Sequence, residues 1–127
     1  MDIKTNLRQL LAGDEDIAAL VAGRVYLAAV PAGADRPHIV LTVTDTERLK
    51  AGGQSQAWTV RQIEVASVAS SRSKAAELAG KVFSCLADHS DDYISDVDIT
   101  GEYDAPNLDG SQDIFAVVQV YQVAGNL

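Results

Sequence analysis

Ile3, Leu7, Leu10 and Leu11 recur at helical spacing, and this stripe predicts an amphipathic first helix ended by Gly13. Asp2 or Thr5 stands where a cap is needed. A second, shorter helix is predicted from Asp14 to Ala22. Asp14, Glu15 and Asp16 put negative charge at the positive end of the helix dipole. Ile17, Leu20 and Val21 give the helix an apolar face, and Gly23 stops it.

The period then shortens to that of strands. Val25 to Leu27 reads as a short strand and Pro31 to Pro37 as a loop. From His38 to Glu47 the pattern alternates, with Ile39, Leu41 and Val43 on one face and Val40, Thr42 and Thr44 on the other. After the loop "RLKAGGQSQ" a third strand runs from Trp58 to Val68, pairing Ile63 with Val65 on one face and Trp58 with Val60 on the other. Ser70, Ser71 and Ser73 offer N-caps to a long helix, Ser73 to His89. Its residues Ala75, Leu78, Ala79, Val82, Cys85 and Leu86 form one continuous apolar stripe. Tyr93 to Tyr103 alternates again, setting Tyr93, Val97 and Ile99 opposite Asp96, Asp98 and Thr100. The turn-rich "DAPNLDGSQ" leads into a last strand, Asp113 to Val123.

The order α-α-β-β-β-α-β-β predicts an α+β fold: a mainly antiparallel sheet of four to five strands packed against one long helix, with two short N-terminal helices. Residues 1–127 are expected to form a single domain. The last strand is apolar on both faces, with Ile114, Ala116, Val118 and Val120 on one and Phe115, Val117, Tyr121 and Val123 on the other. Such a strand is covered on both sides. One long helix covers one side. The other is left to the first two helices or to another subunit, and the second option predicts an oligomer.

Composition narrows the function classes. A chain of 127 residues, 47% hydrophobic, supports one core, and 22% charged residues is not the signature of disorder. The net charge of −8 argues against sequence-independent binding to phosphates and against an anionic membrane surface. It does not exclude a role near DNA in which repulsion is useful, because like charge keeps a polyanion from sticking. Cys85 is the single cysteine, so no intrachain disulfide forms. The opening "MDIKTNLRQLL" has no apolar signal region, and no run approaches the ~20 apolar residues of a membrane span. A soluble protein made in the cytoplasm is the expectation.

Candidate chemistry is sparse. Cys85 and His89 stand four apart on one helix face, as a nucleophile with its base or as half a metal site. The alternative is a thiol buried in the apolar stripe, with His89 near a helix end that favours a cation. Asp88, Asp91, Asp92, Asp96 and Asp98 form an acidic stretch without the spacing or glycine of a calcium loop. "LAGKV" at Leu78 to Val82 lacks the first glycine and the Ser or Thr of a phosphate loop. His38 stands alone at a strand start. No catalytic, cofactor-binding or metal-binding residue is assigned. Arg48, Lys50, Gln54 and Gln56 lie on a glycine-bearing loop, read either as a solvated hairpin tip or as a contact arm.

Three stretches, "LRQLLAGDEDIAALVAGRVYLAAVPAGADRPHIVL", "WTVRQIEVASVASSRSKAAELAGKVFSCL" and "DIFAVVQVYQV", together resemble the tail terminator proteins of long-tailed bacteriophages, also called tail completion or tail-to-head joining proteins. The resemblance covers nearly the whole chain. It implies a non-enzymatic virion protein of the tail and neck, assembled in the host cytoplasm and needing no cofactor. Such proteins form hexameric rings that cap the tail tube, stop its polymerisation and present a docking surface to the head connector, while DNA passes through the lumen without specific binding. On that basis Arg48, Leu49, Lys50, Gln54 and Gln56 are expected to meet the tail tube or connector. Val25, Tyr26, Phe115, Val117 and Tyr121 are expected at the subunit interface. The alternatives are another neck or tail-tube component of the same fold, and a small ligand-binding domain using the carboxylates of Asp91 to Asp98.

Overall fold

Three helices and five strands follow one another in the computed structural model, which describes residues 3–31, 33–50, 57–87, 89–90, 94–106 and 114–125. They are α1 (Ile3–Gly13), α2 (Glu15–Val21), β1 (Val25–Leu27), β2 (His38–Lys50), β3 (Ala57–Ala69), α3 (Arg72–Leu86), β4 (Ile94–Pro106) and β5 (Phe115–Gly125). The fold is α+β. Local chemistry sets the helix starts. Asp14 Oδ1 accepts from the amides of Asp16 and Ile17 at 3.0 and 3.1 Å, and Ser71 Oγ accepts from Lys74 N at 3.3 Å. Helix α2 ends where Ala22 and Gly23 turn left-handed, at φ 50° and 81°.

The strands form one sheet in the order β1-β2-β3-β5-β4. Three junctions are antiparallel, but β1 pairs parallel to β2, Val25 opposite Ile39. The expectation that short connections give antiparallel neighbours fails there. Ile39, near the start of β2, stands level with Val25 at the start of β1, so both strands run the same way. Hydrogen bonds tie β1 down at both ends, from Ile39 N to Arg24 O at 3.0 Å and from Ala28 N to Leu41 O at 2.8 Å. Arg8 Nε adds a bond to Val25 O at 2.9 Å and Arg24 Nε one to Pro37 O at 3.0 Å.

All three helices lie on one face of this sheet. Ile3, Leu7 and Leu11 of α1, Ile17 and Val21 of α2, and Leu78, Val82 and Leu86 of α3 join Ile39, Leu41, Ile63, Val65, Tyr121 and Val123 in a single buried cluster. Each buried side chain of this size contributes about 1.5–3 kcal/mol of transfer free energy. The alternation read from the sequence placed Ile39, Leu41, Ile63 and Val65 on this face correctly. The first two helices are therefore not the cover for the other face. They extend the layer that α3 begins, because the stripes of α1 and α2 point to the same cluster.

Candidate assembly surfaces

Pairing continues past the short strand β1 into a two-stranded arm. Strand β2 runs three residues beyond its predicted end at Glu47, opposing Arg48 to Thr59, Leu49 to Trp58 and Lys50 to Ala57. Arg48, Leu49 and Lys50 thus belong to a strand rather than to the expected loop. The antiparallel ladder extends wherever both backbones can bond, whatever the side chains. Gln54 and Gln56 lie outside the described residues.

The helix-free face of the sheet divides into two halves. Register sets Val40, Ala66, Val118 and Tyr103 in one row and Val68 beside Ala116 in the next. Further along, Thr42, Glu64 and Val120 form a row, then Gln62, Gln122 and Asp98. One half is therefore apolar and the other polar. Val30, Pro31, Gly33, Ala34 and Arg36 lie over the apolar half and leave a groove of about 580 Å³, with Val40, Val68 and Ile114 as its other walls.

His38 sits in that groove, 7% exposed. Its Nδ1 lies 3.1 Å from Asp35 O, so this nitrogen carries the proton and donates. Its ring meets Tyr26 edge-on with centroids 5.7 Å apart. Burial pulls its pKa below the ordinary 6.5, and the charges of Arg36 and Arg24 push the same way. The neutral imidazole is thus a packing and hydrogen-bonding group at this corner.

A second cleft of about 450 Å³ opens on the helix side, between α3 and the edge strand β4. Ala76, Ala79 and Gly80 form one wall, Phe83 and Ile99 the mouth, and Glu102, Asp104 and Gln119 the floor. A bulge between Ile99 and Gly101 shifts the phase of β4, turning Glu102 and Asp104 to this side, opposite Gln119 and Val117. Gln119, 2% exposed, donates through Nε2 to Ala79 O at 3.2 Å and to Glu102 Oε1 at 2.9 Å. Its Oε1 accepts from the Tyr121 hydroxyl at 2.9 Å. Arg72 pairs with Asp104 at the cleft's end. The sequence carried a signal for this network: Gln119 shares its phase with Val117, Tyr121 and Val123, a polar residue on a core row.

The remaining sequence candidates spread apart. Val25 and Tyr121 are both 1% exposed and belong to the subunit's own core, Tyr26 is half-buried against His38, and Phe115 and Val117 line a small cleft beside Arg72. Cys85 directs its thiol to Leu10 O at 3.8 Å, and burial, with the charge of Asp14, pushes its pKa up to about 11. That environment opposes a thiolate nucleophile. Asp96 and Asp98 are exposed on β4, while Asp91 and Asp92 lie outside the described residues. Among the described residues no three His, Cys, Asp or Glu side chains come together as a metal-ligating group.

A family model described as "Tail completion protein gp17" matches residues 5–122. The chain belongs to that family. It is a structural protein of the phage tail, as the resemblance of its three stretches implied. Among solved structures, a chain of the virion of a native gene transfer agent particle superposes with a TM-score of 0.77. The two are 16% identical, and the match covers 98% of this chain and 95% of that one, a likeness of fold. No curated protein matches the chain.

Proposed function

We propose that this tail completion protein acts as a terminator. Copies close into a hexameric ring at the end of the tail tube, stop its polymerisation and offer the head connector a docking surface. The observation that carries this reading is the one-sided fold. Three helices cover one face of the sheet, and on the other Val30 and Tyr103 stay 39% and 50% exposed with no helix over them. A phage tail protein built this way has apolar surface to share with other chains. Tyr26, Phe115 and Val117 contribute to subunit contacts directly, and Val25 and Tyr121 through the strands they anchor. Arg48, Leu49, Lys50, Gln54 and Gln56 reach the tail tube or the connector from the β2–β3 arm. The charge of −8 per copy, repeated around the ring, keeps passing DNA from adhering. The role is structural, in the tail and neck of a virion assembled in the host cytoplasm.

Light scattering with negative-stain electron microscopy of the purified protein tests the reading. Discrete rings of 13.5 kDa subunits are expected. Open tubes would assign the chain to the tube instead, and a monomer at all concentrations would overturn self-assembly. Removing residues 51–55 should leave folding intact and impair tail completion; fully infectious particles from that deletion would exclude a contact role for the arm.

A further inference from the structure

Two features on opposite sides of the sheet complement each other. On the helix-free side, the connection between β1 and β2 exposes an apolar corner: Val30 is 39% exposed, Pro31 follows it, and Arg36 closes the loop. Arg36 has no carboxylate partner among the described residues. Arg24 lies at the same corner, bonded to Pro37 O, and both arginines act electrostatically on His38. The corner is therefore positive, although Asp35 is part of it. On the helix side, the α3–β4 cleft has an apolar mouth of Phe83 and Ile99, 41% and 38% exposed. Its floor is acidic. Asp104 already pairs with Arg72, but Glu102 accepts only the Gln119 amide and has no cationic partner among the described residues. A Cβ added at Gly80 would meet nothing within 4 Å, so the wall of the cleft faces open space.

We propose that the Val30–Pro31 corner of one copy enters the α3–β4 cleft of a second copy, with Arg36 against Glu102. This names the contact that joins subunits and rests on the reading of the protein as a self-assembling tail component. The occupant is a second copy because an apolar knob flanked by a cation and an apolar cleft floored by a carboxylate, neither of them in an ion pair among the described residues, occur on the same chain. They lie on opposite faces of one sheet, where a chain cannot satisfy its own. The contact is heterologous: each copy gives its corner to one neighbour and its cleft to another, the geometry from which rings or open helices grow.

Two variants, one on each surface, test this. Gly80→Leu fills the cleft from its open wall, and Arg36→Glu reverses the charge of the corner. Both positions are exposed, so both variants are expected to fold, Arg36→Glu melting like the wild type and Gly80→Leu no lower than it, since leucine favours a helix interior over glycine. If Gly80→Leu misfolds, Ala76→Leu, one turn away on the same exposed wall, replaces it. Each variant alone is expected to associate at least about tenfold more weakly than wild type, the loss typical of a central contact residue. Mixed, they retain one good corner and one good cleft between them, so light scattering should show dimers of the two variants that grow no further. Wild-type assembly by both variants, or a mixture that stays monomeric, overturns this contact while a wild-type ring leaves the terminator reading standing. Wild-type tubes that both variants still block would support the contact and overturn the ring. A wild type that never associates overturns both.

Discussion

The phenol of Tyr121 donates to Oε1 of Gln119 at 2.9 Å, two residues back on the same face of β5. Gln119 hands the connection on to the carbonyl of Ala79 in α3 and the carboxylate of Glu102 in β4. Three elements meet through one side chain on a row that is otherwise apolar. A buried amide in such a place is tolerated because its oxygen and nitrogen both find partners. It fixes the spacing of helix and sheet beside the α3–β4 cleft.

Replacing Tyr121 by Phe leaves Gln119 Oε1 without its donor and is expected to cost about 1–3 kcal/mol, the penalty of an orphaned buried acceptor. Urea unfolding measures it. In a Gln119→Leu background the same change should cost much less, because no acceptor remains. Equal costs in the two backgrounds would disprove the coupling. A pH effect accompanies it. Burial first, then the charges of Glu102 and Cys85, raise the Tyr121 pKa above the usual phenol range. A group whose folded pKa is raised contributes stability fully present below its unfolded pKa and lost as pH climbs past it. Stability should therefore fall above about pH 10, more steeply for wild type than for Tyr121→Phe.

His38 responds at the other end of the scale. Burial, followed by the charges of Arg36 and Arg24, lowers its pKa in the folded chain against an ordinary 6.5. The depressed value makes its stabilising share complete above pH 6.5 and lost as the pH falls below it, where the unfolded chain takes up the proton first. Thermal melts between pH 7 and pH 5 should show a decline in wild type that is smaller in His38→Gln, whose amide can still donate to Asp35 O. Parallel curves for the two proteins would mean that the imidazole titrates as it does in the unfolded chain.

Cys85 makes a third, chemical prediction. With its pKa pushed from 9.0 up to about 11, the thiolate fraction near pH 8 falls about a hundredfold below that of a free thiol. Iodoacetamide should modify the folded protein correspondingly slowly and the urea-unfolded protein at the ordinary rate. Rapid alkylation of the folded chain would show that the Leu10 contact and the burial around it do not persist in solution.

Much of this architecture was legible in the chain, for reasons that differ by element. Stripes such as Leu78, Val82 and Leu86 reveal helices because burial imposes the 3.6 period, and Ile39 with Leu41 reveals a strand face because burial imposes the period of two. What was not legible lies where backbone geometry overrides side-chain pattern. The parallel pairing of β1 depends on the backbone bonds of Ala28 to Leu41 and Ile39 to Arg24, and the extension of β2 through Lys50 on backbone bonds that no side chain advertises. The bulge after Ile99 changes the phase of β4, so Glu102 faces the cleft although simple alternation from Val97 and Ile99 would put it on the other side. The α3–β4 cleft escaped a sequence reading for that reason, since its floor and its wall come from segments more than a dozen residues apart.

Gly80 separates local stability from the shape of that cleft. It stands inside α3, its backbone is helical, and an added methyl would meet nothing within 4 Å. Glycine in a helix interior is less favourable than alanine by about 0.5–1 kcal/mol, through the greater backbone freedom it surrenders on folding. Gly80→Ala is therefore expected to stabilise the subunit by about that amount and to raise its melting temperature by about 2–5 °C. Calorimetry on the variant checks it, and an unchanged or lower melting temperature would mean that the helix or its surroundings must yield to the methyl. A gain in subunit stability together with weaker self-association would locate the function of this glycine in the open wall of the cleft, where it trades helix propensity for room.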